Sequence, residues 1–224
     1  MINLIIIIII LIWIWYFNFN HPKCKKIKYE DIEPYCKTGD LILFHGLDNY
    51  NSVFIGSYYT HIGIIYRENQ YTCPYIFEAW NPVYENLYPN DIAHGMAFVD
   101  LENRINSYRG YIFYKPLEKP IDPYINEGFY NFIYWAMYNM KYNPNVFSNA
   151  FKKLVFNDDL RIGTNCGEIV YISLIKLGLL KPERFYENRK YHLKWLCNLI
   201  NTDINNKYLP ISYIWQNYFK IVDN

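Results

Sequence analysis

Thr164-Asn165-Cys166-Gly167-Glu168-Ile169-Val170 is the segment that decides the fold, because an uncharged loop there hands over to a largely apolar helical stretch running to Leu180. Cys166 opens that helix. Ile169, Val170, Leu174 and Leu177 follow at helical intervals with only the small Ser173 interrupting, so the thiol lies on the stripe that faces the core. Gly178 and Pro182 close the helix. A thiol at a helix N-terminus sits among unpaired backbone N–H groups at the positive end of the dipole, which favours the thiolate over the thiol. Taken alone, a cysteine on such a stripe is a packing residue first, since free cysteine is among the most buried residue types. A catalytic reading requires partners elsewhere in the chain.

With 224 residues the chain is long enough for one domain of ordinary size plus an extra segment. The formal net charge is +1 with both signs interspersed, so the electrostatic footprint of a nucleic-acid binder is missing and no nucleic-acid partner is expected. Tyr and Phe number 25 and 14, a bias that matches an AT-rich coding sequence and carries no functional weight. Five cysteines, at 24, 36, 73, 166 and 197, are scattered and odd in number, as expected in a reducing compartment. Neither they nor the five histidines fall at zinc-finger or ribbon spacings, and no Gly-rich phosphate loop is present, so neither metal nor cofactor is expected.

Leu4 to Phe17 is an unbroken apolar run of 14 residues. As a helix it spans roughly 21 Å, short of the roughly 30 Å hydrocarbon core of a bilayer. It lacks the basic n-region and small-residue cleavage site of a signal peptide. Trp13, Trp15 and Tyr16 crowd its C-terminal end, and Lys23, Lys25, Lys26 and Lys28 follow. The expectation is a membrane anchor over residues 1–18, a basic linker over 19–37 and a cytosolic domain over 38–224, with a cleaved signal as the alternative.

Past the linker, short strands alternate with turns. Thr38-Gly39-Asp40 is a turn signal delivering Leu41 to His45 as a strand. His61 to Tyr66 and Tyr75 to Trp80 read as the next two, with Gly95 to Leu101 and Gly110 to Lys115 as a fourth and fifth. Phe129, Phe132, Ile133, Ala136, Met137 and Met140 mark an amphipathic helix of core-packing character. A further helix is expected near His192 to Ile200 and a closing strand within Ser212 to Val222.

Four stretches in this order, Gly39-Asp40-Leu41-Ile42-Leu43-Phe44, Thr60-His61-Ile62-Gly63-Ile64-Ile65, Phe77-Glu78-Ala79 and Asn165-Cys166-Gly167-Glu168-Ile169-Val170, resemble the ordered signatures of circularly permuted papain-like amidases. The resemblance covers roughly residues 38 to 180 and is nearest to the YiiX/YaeF type of the NlpC superfamily, which has bacterial and large-DNA-virus members. It implies an α+β fold in which a small antiparallel, β-barrel-like sheet packs against the nucleophile helix. It also implies Cys166 as nucleophile, His61 as general base and Glu78 as orienting residue. Gly167 departs from the serine that commonly follows the nucleophile, and the polar loop between Gly46 and Tyr59 has no counterpart.

Independent physical logic points the same way, since a cysteine hydrolase needs a thiol, an imidazole within hydrogen-bond reach and a third group fixing the ring. Glu78 lies in an otherwise apolar strand and needs a partner, for which His61 is the natural candidate. A hairpin register centred between residues 69 and 70 sets 61 and 78 directly opposite each other. Glu168 reads as a first-turn residue favouring the helix dipole, Asp40 as structural, and the backbone N–H of Cys166 as an oxyanion donor. The expected function is a membrane-anchored thiol hydrolase or acyltransferase acting on a peptide-like or lipid acyl substrate through an acyl-enzyme on Cys166. A catalytically silent, membrane-tethered binding or virion-structural module of the same fold is the competing expectation, and a secreted peptidase released by cleavage within residues 1–17 is a third.

Overall fold

A computed structural model describes residues 7–9, 11–12, 24–46, 58–79, 95–140, 166–180, 208–209 and 212–214. Seven strands form one sheet: β1 (Lys25–Ile27), β2 (Leu41–Gly46), β3 (His61–Tyr66), β4 (Tyr75–Ala79), β5 (Met96–Asp100), β6 (Gly110–Lys115) and β7 (Ser212–Ile214). Their spatial order is β1-β7-β6-β2-β3-β4-β5, antiparallel throughout except for the parallel pair β1 and β7. Helices packed with the sheet among the described residues are α1 (Tyr29–Ile32), α2 (Leu101–Ser107), α3 (Pro123–Asn139) and α4 (Cys166–Lys176). The class is therefore α+β, as the sequence suggests. Among the described residues the sheet is open, with β1 and β5 at its edges, and is not closed into a barrel.

Alternation along the strands divides the interior into two clusters. Leu41, Leu43, Ile62, Ile64, Phe77 and Ala79 face the layer that contains α3 and α4, whose Phe129, Ile133, Ala136, Ile169, Val170 and Leu174 complete the larger cluster. Ile42, Phe44, Ile65, Ile76 and Ile112 face the other way, toward Ile32 of α1 and Leu101 and Ile105 of α2. The strands are buried on both faces, which is why they read as near-continuous apolar runs.

Residues 24–37 belong to the folded domain, a correction to their reading as a linker. β1 pairs with β7, and Ile32 and Cys36 are buried in the second cluster. The lysines dominate that stretch by number, but Ile27, Tyr29, Ile32 and Cys36 are spaced so that each packs inward.

The turn before β2 is tied down by Asp40, which is fully buried. Its Oδ1 accepts from Leu117 N at 2.6 Å, and its Oδ2 accepts from Lys37 N at 2.9 Å and Tyr114 Oη at 2.5 Å. Gly39, at φ +95°, supplies the left-handed turn that a side chain disfavours. At its far end, α4 stops where Gly178 takes φ +68°, after which Leu179 N donates back to Leu174 O at 2.8 Å.

Most of the apolar run Leu4 to Phe17, the helix expected near His192 and the part of the closing strand beyond Ile214 lie outside the described residues. Residues 7–9 and 11–12 are helical and exposed. Among the described residues no helix is long and apolar enough to cross a membrane.

Candidate active site

The site gathers on two neighbouring strands and two helices. His61 is the first residue of β3 and Glu78 the fourth of β4, so alternation points both side chains to the α2 face of the sheet. The observed register pairs Ile64 with Phe77, Ile65 with Ile76 and Tyr66 with Tyr75. Continued by one residue it sets Glu78 opposite Gly63, so the expected direct pairing of 61 with 78 is corrected by two residues. The carboxylate instead reaches His61 along the diagonal, a distance long side chains cover. His61 Nε2 and Glu78 Oε2 lie 2.6 Å apart, with the two side chains 16% and 2% exposed.

Gly63 makes this crossing possible. A Cβ there would lie 2.5 Å from Ile76 Cδ1, 2.7 Å from Ile76 Cγ1 and 3.4 Å from Glu78 Cβ. The absence of a side chain lets Ile76 fill the space between the strands and lets Glu78 lean toward His61.

Cys166 is partly buried at the first position of α4 and packs on the larger cluster, as its place on the apolar stripe requires. α4 lies against β3 and β4 from the face opposite α2. His61 opens its strand, and the Cys166 sulfur lies near enough to act on the ring, strengthening its hold on a proton. Of the three residues that the sequence points to, His61 and Glu78 are in direct contact, and Cys166 is near enough to act on the His61 ring.

A fourth group, Arg104 of α2, joins the pair from the second layer. Its Nε donates to Glu78 Oε1 at 2.6 Å, so the carboxylate is shared by His61 on one oxygen and Arg104 on the other. The guanidinium carbon lies 4.6 Å from the Phe44 ring centroid and 5.1 Å from that of Tyr108, and the Phe44 ring is itself 5.3 Å from the His61 ring. A signal for Arg104 existed: Asp100 caps a helix by accepting from Asn103 N at 2.9 Å, and Leu101, Arg104 and Ile105 then recur on one buried stripe. The segment after Val99 reads as a continuing strand because its apolar residues are too few to show the change of period.

Burial by itself disfavours both charges, lowering the histidine and raising the acid, yet the mutual attraction wins. Glu78 and Cys166 hold the His61 ring up at about 9. Arg104 and His61 keep the Glu78 carboxyl below the usual carboxylate range. The site therefore keeps a protonated imidazole and an ionised carboxylate through neutral pH. Among the described residues no group of three or more His, Cys, Asp or Glu side chains is placed to hold a metal ion.

No family model matches the sequence, and no curated protein does. Among solved structures the chain is similar to the crystal structure of the metalloprotein YiiX, DUF1105, from Escherichia coli O157:H7, with 17% identity and a TM-score of 0.41. The likeness covers 62% of this chain and 64% of that one, so the chain spans less than two thirds of YiiX.

Proposed function

We propose that the chain is a thiol hydrolase or acyltransferase of permuted papain-like type, acting on amide, ester or thioester carbonyls of peptide-like or lipid acyl substrates. The observation that carries this reading is the 2.6 Å contact between His61 Nε2 and Glu78 Oε2, on a ring whose proton the Cys166 sulfur at the start of α4 also helps to hold. A buried carboxylate aimed at an imidazole has no packing purpose that apolar residues would not serve better.

In the proposed cycle, the Cys166 proton already rests on His61 as the imidazolium, and the sulfur attacks the carbonyl carbon as a thiolate. The resulting oxyanion faces the N-terminal backbone of α4, where the Cys166 N–H is free of helical bonding. His61 then gives its proton to the leaving amine, alcohol or thiol as the carbonyl re-forms, leaving a thioester on Cys166. Water or an acceptor group next attacks that thioester, losing its proton to His61, and the acyl product departs as the thiolate is expelled beside the imidazolium, which restores the starting state. Throughout, Glu78 fixes the ring and stabilises the imidazolium without taking the proton. The apolar run Leu4 to Phe17 with its following lysines supports a membrane anchor, and an anchored enzyme favours a lipid or lipidated acyl donor.

Labelling with an activity-based thiol probe, read at the Cys166 peptide, tests the assignment. Wild type is expected to label, and Cys166→Ser, His61→Ala and Glu78→Gln to lose labelling; equal labelling in all four sinks it. Intact-mass analysis after incubation with lipid and peptide extracts then reads the acyl adduct and with it the substrate class.

A further inference from the structure

We propose that Arg104 is a positioning residue of this site, fixing the Glu78 carboxylate for His61 and dividing that carboxylate's charge between two cations. The proposal rests on the thiol-hydrolase reading. Glu78 offers one oxygen to His61 Nε2 and the other to Arg104 Nε, each at 2.6 Å, so its plane is set by two partners from different elements. Arg104 is 7% exposed and is held against the Phe44 and Tyr108 rings, with Phe44 also touching His61. A lysine keeps the charge but has neither the planar face for those rings nor a donor at that point of the side chain.

The electrostatic consequence follows from the groups that face the pair. His61 is faced by Glu78 from β4 and Cys166 from α4, and Glu78 by Arg104 from α2 and His61 from β3. A carboxylate at hydrogen-bond distance in a dry site pulls strongly on the imidazolium proton. Arg104 offsets part of that pull, which leaves His61 a better proton donor to a leaving group than a lone His–Glu pair would be. The buried guanidinium is thus read as a limiter on Glu78 and not merely as a fold-stabilising ion pair.

The rate at which iodoacetate alkylates Cys166, followed against pH in the full chain by mapping the Cys166 peptide, reads this without any knowledge of the substrate. Thiolate attack forms the S–C bond as iodide departs, and the anionic reagent is drawn in by the imidazolium, so the rate falls on the alkaline side as His61 loses its proton. In Arg104→Gln the full field of Glu78 falls on His61, so the alkaline limb is expected to move up by about one pH unit, while the plateau falls at least about tenfold through loss of carboxylate orientation. Arg104→Lys is expected to return the limb to within about half a unit of wild type while the plateau stays low. An unmoved or lowered limb in a folded Arg104→Gln protein overturns the proposal. Should that variant fail to fold, a wild-type plateau in Arg104→Lys overturns it, and a low plateau with a wild-type limb supports it. A wild-type profile without an alkaline fall, or a fall that survives His61→Ala, removes the thiol-hydrolase reading and this proposal with it. A fall lost in His61→Ala but unmoved in Arg104→Gln removes Arg104 alone.

Discussion

Glu78 reaches His61 along the diagonal of the β3–β4 ladder, with Oε2 2.6 Å from Nε2, and the residue directly across from it is Gly63. The diagonal depends on that missing side chain. A larger residue at 63 fills the space Ile76 and the Glu78 stem now occupy.

Gly63→Ala is therefore expected to act on both fold and site. The added methyl meets Ile76 Cδ1 at 2.5 Å and Cγ1 at 2.7 Å, and Ile76 is fully buried, so it has little room to turn away. Overpacking of this kind costs about 1–3 kcal/mol. Urea unfolding of the variant measures that cost, and thiol-probe labelling is expected to fall with it as Glu78 is pushed off the diagonal. A variant as stable and as reactive as wild type contradicts the account of the crossing.

Glu78→Gln removes an anion that two cations share. His61 loses the partner that orients it, and reactivity at Cys166 is expected to fall about 100-fold or more. Arg104 is left buried beside a neutral amide, and breaking a buried ion pair from one side costs about 3–5 kcal/mol. The double variant Glu78→Gln with Arg104→Met is then expected to recover stability but not reactivity, as read by thermal melting and probe labelling together. Recovery of both, or of neither, counts against the assignment of Glu78.

Much of this arrangement is legible from the chain. The bounds of β3 and β6 coincide with their expected ones, and Cys166 opens α4 as expected, because in each case a polar or glycine residue abuts an apolar run. The α3 stripe is legible for the same reason, five of its six marked residues being the ones the helix buries. What escaped depends on longer-range facts. The ladder register is set by how Gly63 lets Ile76 in, which no count of residues between 61 and 78 reveals. Arg104 escaped because a seven-residue helix gives only two apolar neighbours to mark its buried side, and an arginine there reads as solvated unless the carboxylate it meets is known. The span 24–37 was hidden by its lysines, whose charges face out while four apolar or aromatic residues pack in.

Asp40 closes the sheet end remote from the His61–Glu78 pair, and Asp40→Asn separates its structural role from the proposed chemistry. Three donors converge on its carboxylate, two on Oδ2 and one on Oδ1. An amide must turn an N–H toward at least one of them, leaving a buried donor facing a donor. The expected loss is about 2–3 kcal/mol, or roughly 4–12 °C in melting temperature for a chain of this size. Once folded at lower temperature, the variant is expected to label at Cys166 like wild type. Loss of labelling without loss of stability reverses that division of roles.

The His61–Glu78 pair also writes itself into the pH dependence of stability. His61 rises from about 6.5 when unfolded to about 9 in the fold, so its contribution is fully present below pH 6.5 and is lost as pH rises through 9. Glu78 is lowered from 4.5, so its contribution is present above pH 4.5 and is lost as pH falls through the lowered value. Between those limits both contribute, which places the optimum of the pair at about pH 5–6. His61→Ala removes only the histidine part. The stability difference between wild type and His61→Ala, measured by urea unfolding, is therefore expected to shrink by about 3 kcal/mol between pH 6 and pH 10. Taking the difference cancels the tyrosines, which titrate in both proteins. A difference that stays constant over that range means that His61 is not held protonated by Glu78 and Cys166, and the ordering of thiol, imidazole and carboxylate then loses its electrostatic basis.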